Sequence, residues 1–80
     1  MEQEKVALEY YDCIITCEIA IKMAQLHGEY PNRILRLCCK ALCKRIEDKR
    51  IRLIIKGIGK ANYPIGALAK VRREFDEALG

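Results

Sequence analysis

The chain contains no serine and only one histidine, His27. Hydrolysis through an activated hydroxyl, or through a nucleophile–histidine pair, therefore has little to build on. His27 falls at the predicted end of the first helix, where the helix dipole favours a cation and a structural role suffices. There is no glycine-rich loop ending in Lys-Ser or Lys-Thr and no dinucleotide fingerprint, so the usual nucleotide-binding motifs are missing. The longest stretch free of charge, Ala61 to Ala69, falls far short of the roughly 20 apolar residues of a membrane-spanning helix. The first residues, "MEQEKVALEYYD", are acidic and unlike the positive start of a signal peptide. The expectation is a non-enzymatic, cytoplasmic protein with no cofactor, no membrane partner and no small-molecule substrate.

Asparagine is scarce as well, occurring only at Asn32 and Asn62, while Lys, Arg, Glu and Ile are plentiful. That balance leans toward a thermophile, and an archaeal host, or a virus or plasmid of one, fits it. Disulfide-rich cytosol is a feature of such organisms, which bears on the five cysteines. Eighty residues form one domain at most, read here as a single small helical domain over residues 1–80. A chain of this length buries only about 60% of its unfolded surface. Small folds usually add a disulfide, a metal or a second copy of themselves.

Helical spacing dominates the pattern. The first helix is expected from about Glu4 to His27, stopping at Gly28. Val6, Tyr10, Cys13, Cys17, Ala20 and Ala24 step by fours and threes, the seam that faces another helix. A second apolar set, Leu8, Tyr11, Ile15, Ile19 and Leu26, lies on a nearly opposite face. A helix with two apolar faces in so short a chain points to a homodimer. Pro31 starts a second helix reaching about Ile46, with Leu35, Cys38, Cys39, Leu42 and Ile46 inward and Arg33, Arg36, Lys40 and Lys44 outward. At residues 47–50 the phase slips by about half a turn, so the helix must end or kink there. "RIRLIIK" reads as a short third helix, with a strand paired across a dimer axis as the alternative, "KGIGKANYP" as a loop, and Pro64 to Leu79 as a final helix.

Cysteine occurs as C-x3-C twice, at Cys13 and Cys17 and at Cys39 and Cys43. Residues four apart share a helix face. Folding the first two helices back to back about Gly28 makes equidistant residues face one another: Cys17 with Cys39, Cys13 with Cys43, Tyr10 with Ile46, and Ile21 with Leu35. The pattern resembles the helical hairpins of the small chaperones of the mitochondrial intermembrane space, with their twin C-x3-C motifs. It departs from them in its 21 residues between Cys17 and Cys39, in the extra thiol Cys38, and in its basic charge. The resemblance implies two disulfides, Cys13–Cys43 and Cys17–Cys39. Free thiols filling the core, or four thiols holding zinc or an iron–sulfur cluster, fit the same spacing. Cys38 lies beside the seam without an evident partner.

The net charge of +4 hides a division. Residues 1–30 carry two basic and six acidic side chains, whereas residues 31–80 carry thirteen and five. Closely spaced Lys and Arg neutralise phosphates and release counterions. The nine candidates for nucleic-acid contact are Arg33, Arg36, Lys40, Lys44, Lys49, Arg50, Arg52, Lys56 and Lys60. Gly57-Ile58-Gly59 resembles the turn of the helix-hairpin-helix motif, whose backbone N–H groups approach a phosphate. The small residue and the apolar residue that this motif carries four and seven positions later are Tyr63 and Gly66 here.

The expected architecture is all-α: an antiparallel helical hairpin with a short third element and a C-terminal helix packed across it. The expected function is non-enzymatic binding of nucleic acid, DNA or RNA, directed mainly at phosphates. The alternative is a disulfide-stapled helical module for protein interaction or assembly.

Overall fold

Every stretch with helical periodicity is helical in the computed structural model, which describes residues 2–80. The elements are α1 (Glu2–Leu26), α2 (Pro31–Cys43), α3 (Lys49–Lys60) and α4 (Pro64–Leu79). The described residues are all-α, with no strand. No helix is long and apolar enough to cross a membrane among the described residues.

The helix ends follow local chemistry. Glu2 and Glu4 sit in the first turn of α1, where negative charge complements the helix dipole. At the other end Gly28 takes a φ of 70°, a left-handed conformation that a side chain would strain. Its N–H donates to the Gln25 carbonyl, and that of Glu29 donates to the Ala24 carbonyl at 2.8 Å. This is the Schellman closure, which satisfies carbonyls that the helix leaves orphaned. Pro31 then occupies the first turn of α2, where its missing N–H costs nothing. Asp48 caps α3, accepting from the backbone N–H groups of Arg50 and Ile51. The cap of α4 is tertiary: the Asn32 side-chain oxygen, on the first turn of α2, accepts from the Ile65 N–H at 3.3 Å.

The phase slip after α2 is a reversal of the chain. Helix α2 ends at Cys43, three residues earlier than its apolar pattern suggests, and Ile46 is buried in the connection to α3. Gly57, Ile58 and Gly59 are not a loop. They belong to α3, which continues to Lys60, and Ile58 is buried in the core. The Cβ that Gly59 lacks would stand 3.0 Å from the Cys39 Cβ. This glycine is therefore a close-approach position between α3 and α2, which is a packing role and not a turn.

The core is built from Cys13, Ile14 and Cys17 of α1, Leu35 and Cys39 of α2, and Ile51, Ile55 and Ile58 of α3. Ile46 joins them from the connection, and Leu68 and Phe75 from α4. The heptad-like seam of α1 is its inner face, with Val6 and Tyr10 packed partly against the core. Ile14, which belongs to neither apolar set, is fully buried beside that seam. Helix α4 is fastened to α1 by Phe75, whose ring meets Tyr10 edge-on at 5.2 Å and stacks with Tyr11 at 5.9 Å. Arg72 joins Glu18 of α1 at 2.8 Å and Asp76 of its own helix at 3.1 Å, and its guanidinium lies over the Tyr11 ring.

Ile55 is fully buried and Leu53 exposed on the same helix. Replacing Ile55 by Ala should destabilise the protein by about 2–5 kcal/mol in urea unfolding, because α2 and α3 cannot close on the cavity. Leu53→Ala should shift stability by no more than about 0.5 kcal/mol.

Candidate nucleic-acid interface

Helices α2 and α3 run antiparallel as neighbours, and their outer edges define a groove of about 550 Å³. Its walls carry Arg36 and Lys40 from α2, Lys44 at its C-cap, and Arg52, Lys56 and Lys60 from α3. On each helix the cations are four residues apart, so each row lies along one face, with about 6 Å between steps. The rows are also in register. Arg36 with Lys60, Lys40 with Lys56, and Lys44 with Arg52 are pairs equidistant from Asp48, the residue that caps α3. Two contacts anchor this alignment: Arg36 donates to the carbonyls flanking Lys60, and the Cys43 thiol donates to the Arg52 carbonyl at 3.7 Å.

Between the rows lie Cys39, Cys43 and Gly59, and exposed Leu37 stands at the outer side of the α2 row. No carboxylate lines the groove, and among the described residues none pairs with the six cations. Six positive charges beside low-dielectric walls reinforce one another's field.

Arg36 has a second task. Its guanidinium donates to the Gly59 carbonyl at 2.9 Å, the Ala61 carbonyl at 2.8 Å and the Asn62 carbonyl at 3.4 Å. These are carbonyls at the C-terminal end of α3, where a cation also complements the dipole. Arg36 thus locks α3 against α2 while keeping its charge at the groove mouth. Arg52 similarly donates to the Glu47 carbonyl at 3.3 Å.

The structure gathers six of the nine candidate cations and leaves three outside the groove. Arg33 lies beside Glu29 and Tyr30, near the α1–α2 turn. Lys49 is at the start of α3. Arg50 is paired with Asp48 at 2.9 Å, an interaction that holds the Asp48 carboxyl down to about 2. The phosphate-turn reading of Gly57 to Gly59 fails, because helical N–H groups in mid-helix are already bonded within the helix.

The thiols lie beneath this surface. The hairpin register expected from the sequence is present in that Cys17 faces Cys39, and Cys38 joins them as a third neighbour. The bridges implied by the twin C-x3-C resemblance are absent: all five cysteines are free thiols. No group of three or more His, Cys, Asp or Glu side chains is arranged to hold a metal ion among the described residues. Cys17 is held well above the ordinary thiol range by hydrogen bonds with Cys38 and Cys39 and by burial. Burial pushes Cys13 up to about 11, with Glu9 and Asp12 adding to the effect. Half-buried Cys38 moves the other way, to about 7, because the Cys17 thiol donates to it.

The family described as "Domain of unknown function (DUF7740)" matches residues 8–76, a span that includes every groove cation and all five cysteines. No curated protein and no solved structure matches the chain.

The thiols therefore differ in reactivity. Near pH 7, iodoacetamide should modify Cys38 first, at a rate that rises through pH 7 as its thiolate forms. Buried Cys17 and Cys39 should react only once the protein unfolds. Peptide mass spectrometry of the unreduced, denatured protein should find all five cysteines alkylated; a missing pair would reveal a bridge.

Proposed function

We propose a function for this chain, which belongs to the family of the domain of unknown function DUF7740: non-enzymatic binding of nucleic acid through its phosphates. The observation that carries the reading is the paired register of six cations along the α2–α3 groove, with no carboxylate among them. Six like charges held together repel one another, and a polyanion relieves that repulsion. Phosphate contacts of this kind release counterions and carry no base information. Binding tolerant of sequence follows, on DNA or RNA. Exposed Leu37 beside Lys40 gives a base or sugar edge something to lie against, as in grooves that combine charge with stacking or apolar contact.

The site's chemistry suits binding and not catalysis. The only histidine, His27, is exposed at the end of α1, outside the groove. The groove supplies cations and two thiols, with no carboxylate or imidazole to act as a base.

A second reading, a module for protein assembly, draws on a different face, the exposed apolar side of α1.

Affinity for single- or double-stranded nucleic acid, measured by fluorescence anisotropy, should fall by about 10³-fold between about 50 and 200 mM salt if five or six phosphates are neutralised. No binding at low salt, or binding indifferent to salt, would end the proposal. Substituting Lys40 and Lys44 by Glu should abolish most of the affinity while leaving the far-UV circular dichroism unchanged. Lys70→Glu on α4, away from the groove, should have a much smaller effect.

A further inference from the structure

The outer face of α1 is unusual for a helix packed in a small domain. Leu8 is 64% exposed, Ile19 56%, Met23 48% and Leu26 79%, and Tyr11 is exposed between them. Two charged residues interrupt this face, Asp12 and Lys22, both exposed. Leu8, Asp12, Ile15, Ile19, Lys22 and Leu26 step by 4, 3, 4, 3 and 4, the spacing of a helix–helix seam. The inner seam of α1 is already covered by the chain's own core, whereas among the described residues nothing covers Leu8, Ile19 and Leu26 of this second seam.

The outer seam is its own complement when read backwards. Turned end for end about the level of Cys17, Leu8 meets Leu26, Asp12 meets Lys22, and Ile15 meets Ile19. Tyr11 and Met23, on the shoulders of the strip, exchange places as well. In this arrangement the two interrupting charges become two opposite-charge pairs, one at each end. Parallel, in-register pairing would instead set Asp12 against Asp12 and Lys22 against Lys22, which like-charge repulsion disfavours. The charge pattern therefore selects both the partner and its direction.

The ground beside Leu8 offers a second fit. A shallow, almost wholly apolar hollow of about 460 Å³ lies there, lined by Ala7, Leu8, Tyr11, Phe75 and Leu79 with Glu4 at its rim. In the antiparallel register, Leu26 of a second copy, the most exposed residue of the strip, arrives at this hollow. The exchange is mutual, because a two-fold contact uses the same patch on both subunits.

We propose that α1 is the interface of a two-fold homodimer. The α1 helices pack antiparallel along Leu8, Ile15, Ile19 and Leu26, and Asp12 of each copy pairs with Lys22 of the other. This assignment is independent of the groove on α2 and α3 and stands whether or not that groove binds nucleic acid. The strip is about 27 Å long. One helix pair of that length is at the small end of specific interfaces, so the dimer forms and dissociates with concentration.

Sedimentation velocity over about a hundredfold range of concentration tests the proposal. The unmodified protein should shift from monomer to dimer, and a monomer throughout would overturn the assignment. Asp12→Lys should weaken the dimer about tenfold or more, since it opposes two lysines at each end. The double variant Asp12→Lys, Lys22→Asp should restore it, because the swapped charges again face their opposites. Both positions are exposed, and circular dichroism checks that each variant folds. A dimer indifferent to Asp12→Lys, or a double variant that stays monomeric, would refute the antiparallel seam.

Discussion

The close approach of α3 to α2 is the constraint on which the proposed interface depends. It is set where Gly59 passes Cys39, so closely that a Cβ there would press on the Cys39 side chain at 3.0 Å. Asp48 starts α3 at the right place, and Arg36 holds its far end through three backbone carbonyls. Between these anchors, Ile51, Ile55 and Ile58 turn inward. Their helical spacing obliges Arg52, Lys56 and Lys60 to turn out beside the cations of α2. The groove is thus a consequence of core packing, since the apolar residues that pull the helices together also fix the phase of the charged ones.

Small side chains serve α1 and α2 in a similar way. Cys13, Cys17 and Cys39 are compact and apolar enough to fill the crossing of the helices without bridging. Cys38 completes the cluster from its edge, where the Cys17 thiol donates to it and lowers its pKa. The C-x3-C spacing is therefore read as a packing device in this structure. The same spacing serves a hairpin staple or a hairpin core, because both need two small residues on one helix face.

Charge is segregated by helix. Acidic side chains concentrate on α1 and basic ones on α2 and α3. A long-range ion pair, Arg72 with Glu18, joins α4 to α1 and leaves the groove cations out. The cations of the groove therefore keep their field. In the proposed α1 dimer, the mixed charges on the outer face of α1, Asp12 and Lys22, meet their opposites.

Much of the fold was legible in the sequence. Gly28, Pro31 and Pro64 mark helix boundaries through backbone geometry, which is local. The inner seam of α1 and the basic stripe of α2 follow from helical period alone. So does the break near residue 47, because a half-turn change of phase cannot be absorbed within one straight helix. The sequence could not say that Gly57 and Gly59 are helical, since glycine serves equally as a turn residue and as a point of close contact. The partner that decides between them, Cys39, is 20 positions away. Nor could it show that Arg36 is bound to the end of α3, that Ile14 belongs to the core, or that Arg33, Lys49 and Arg50 stand apart from the other cations. Periodicity determines which face of a helix a residue occupies. Which faces meet is decided by packing between distant segments, and here that packing turned two separate basic stripes into one groove.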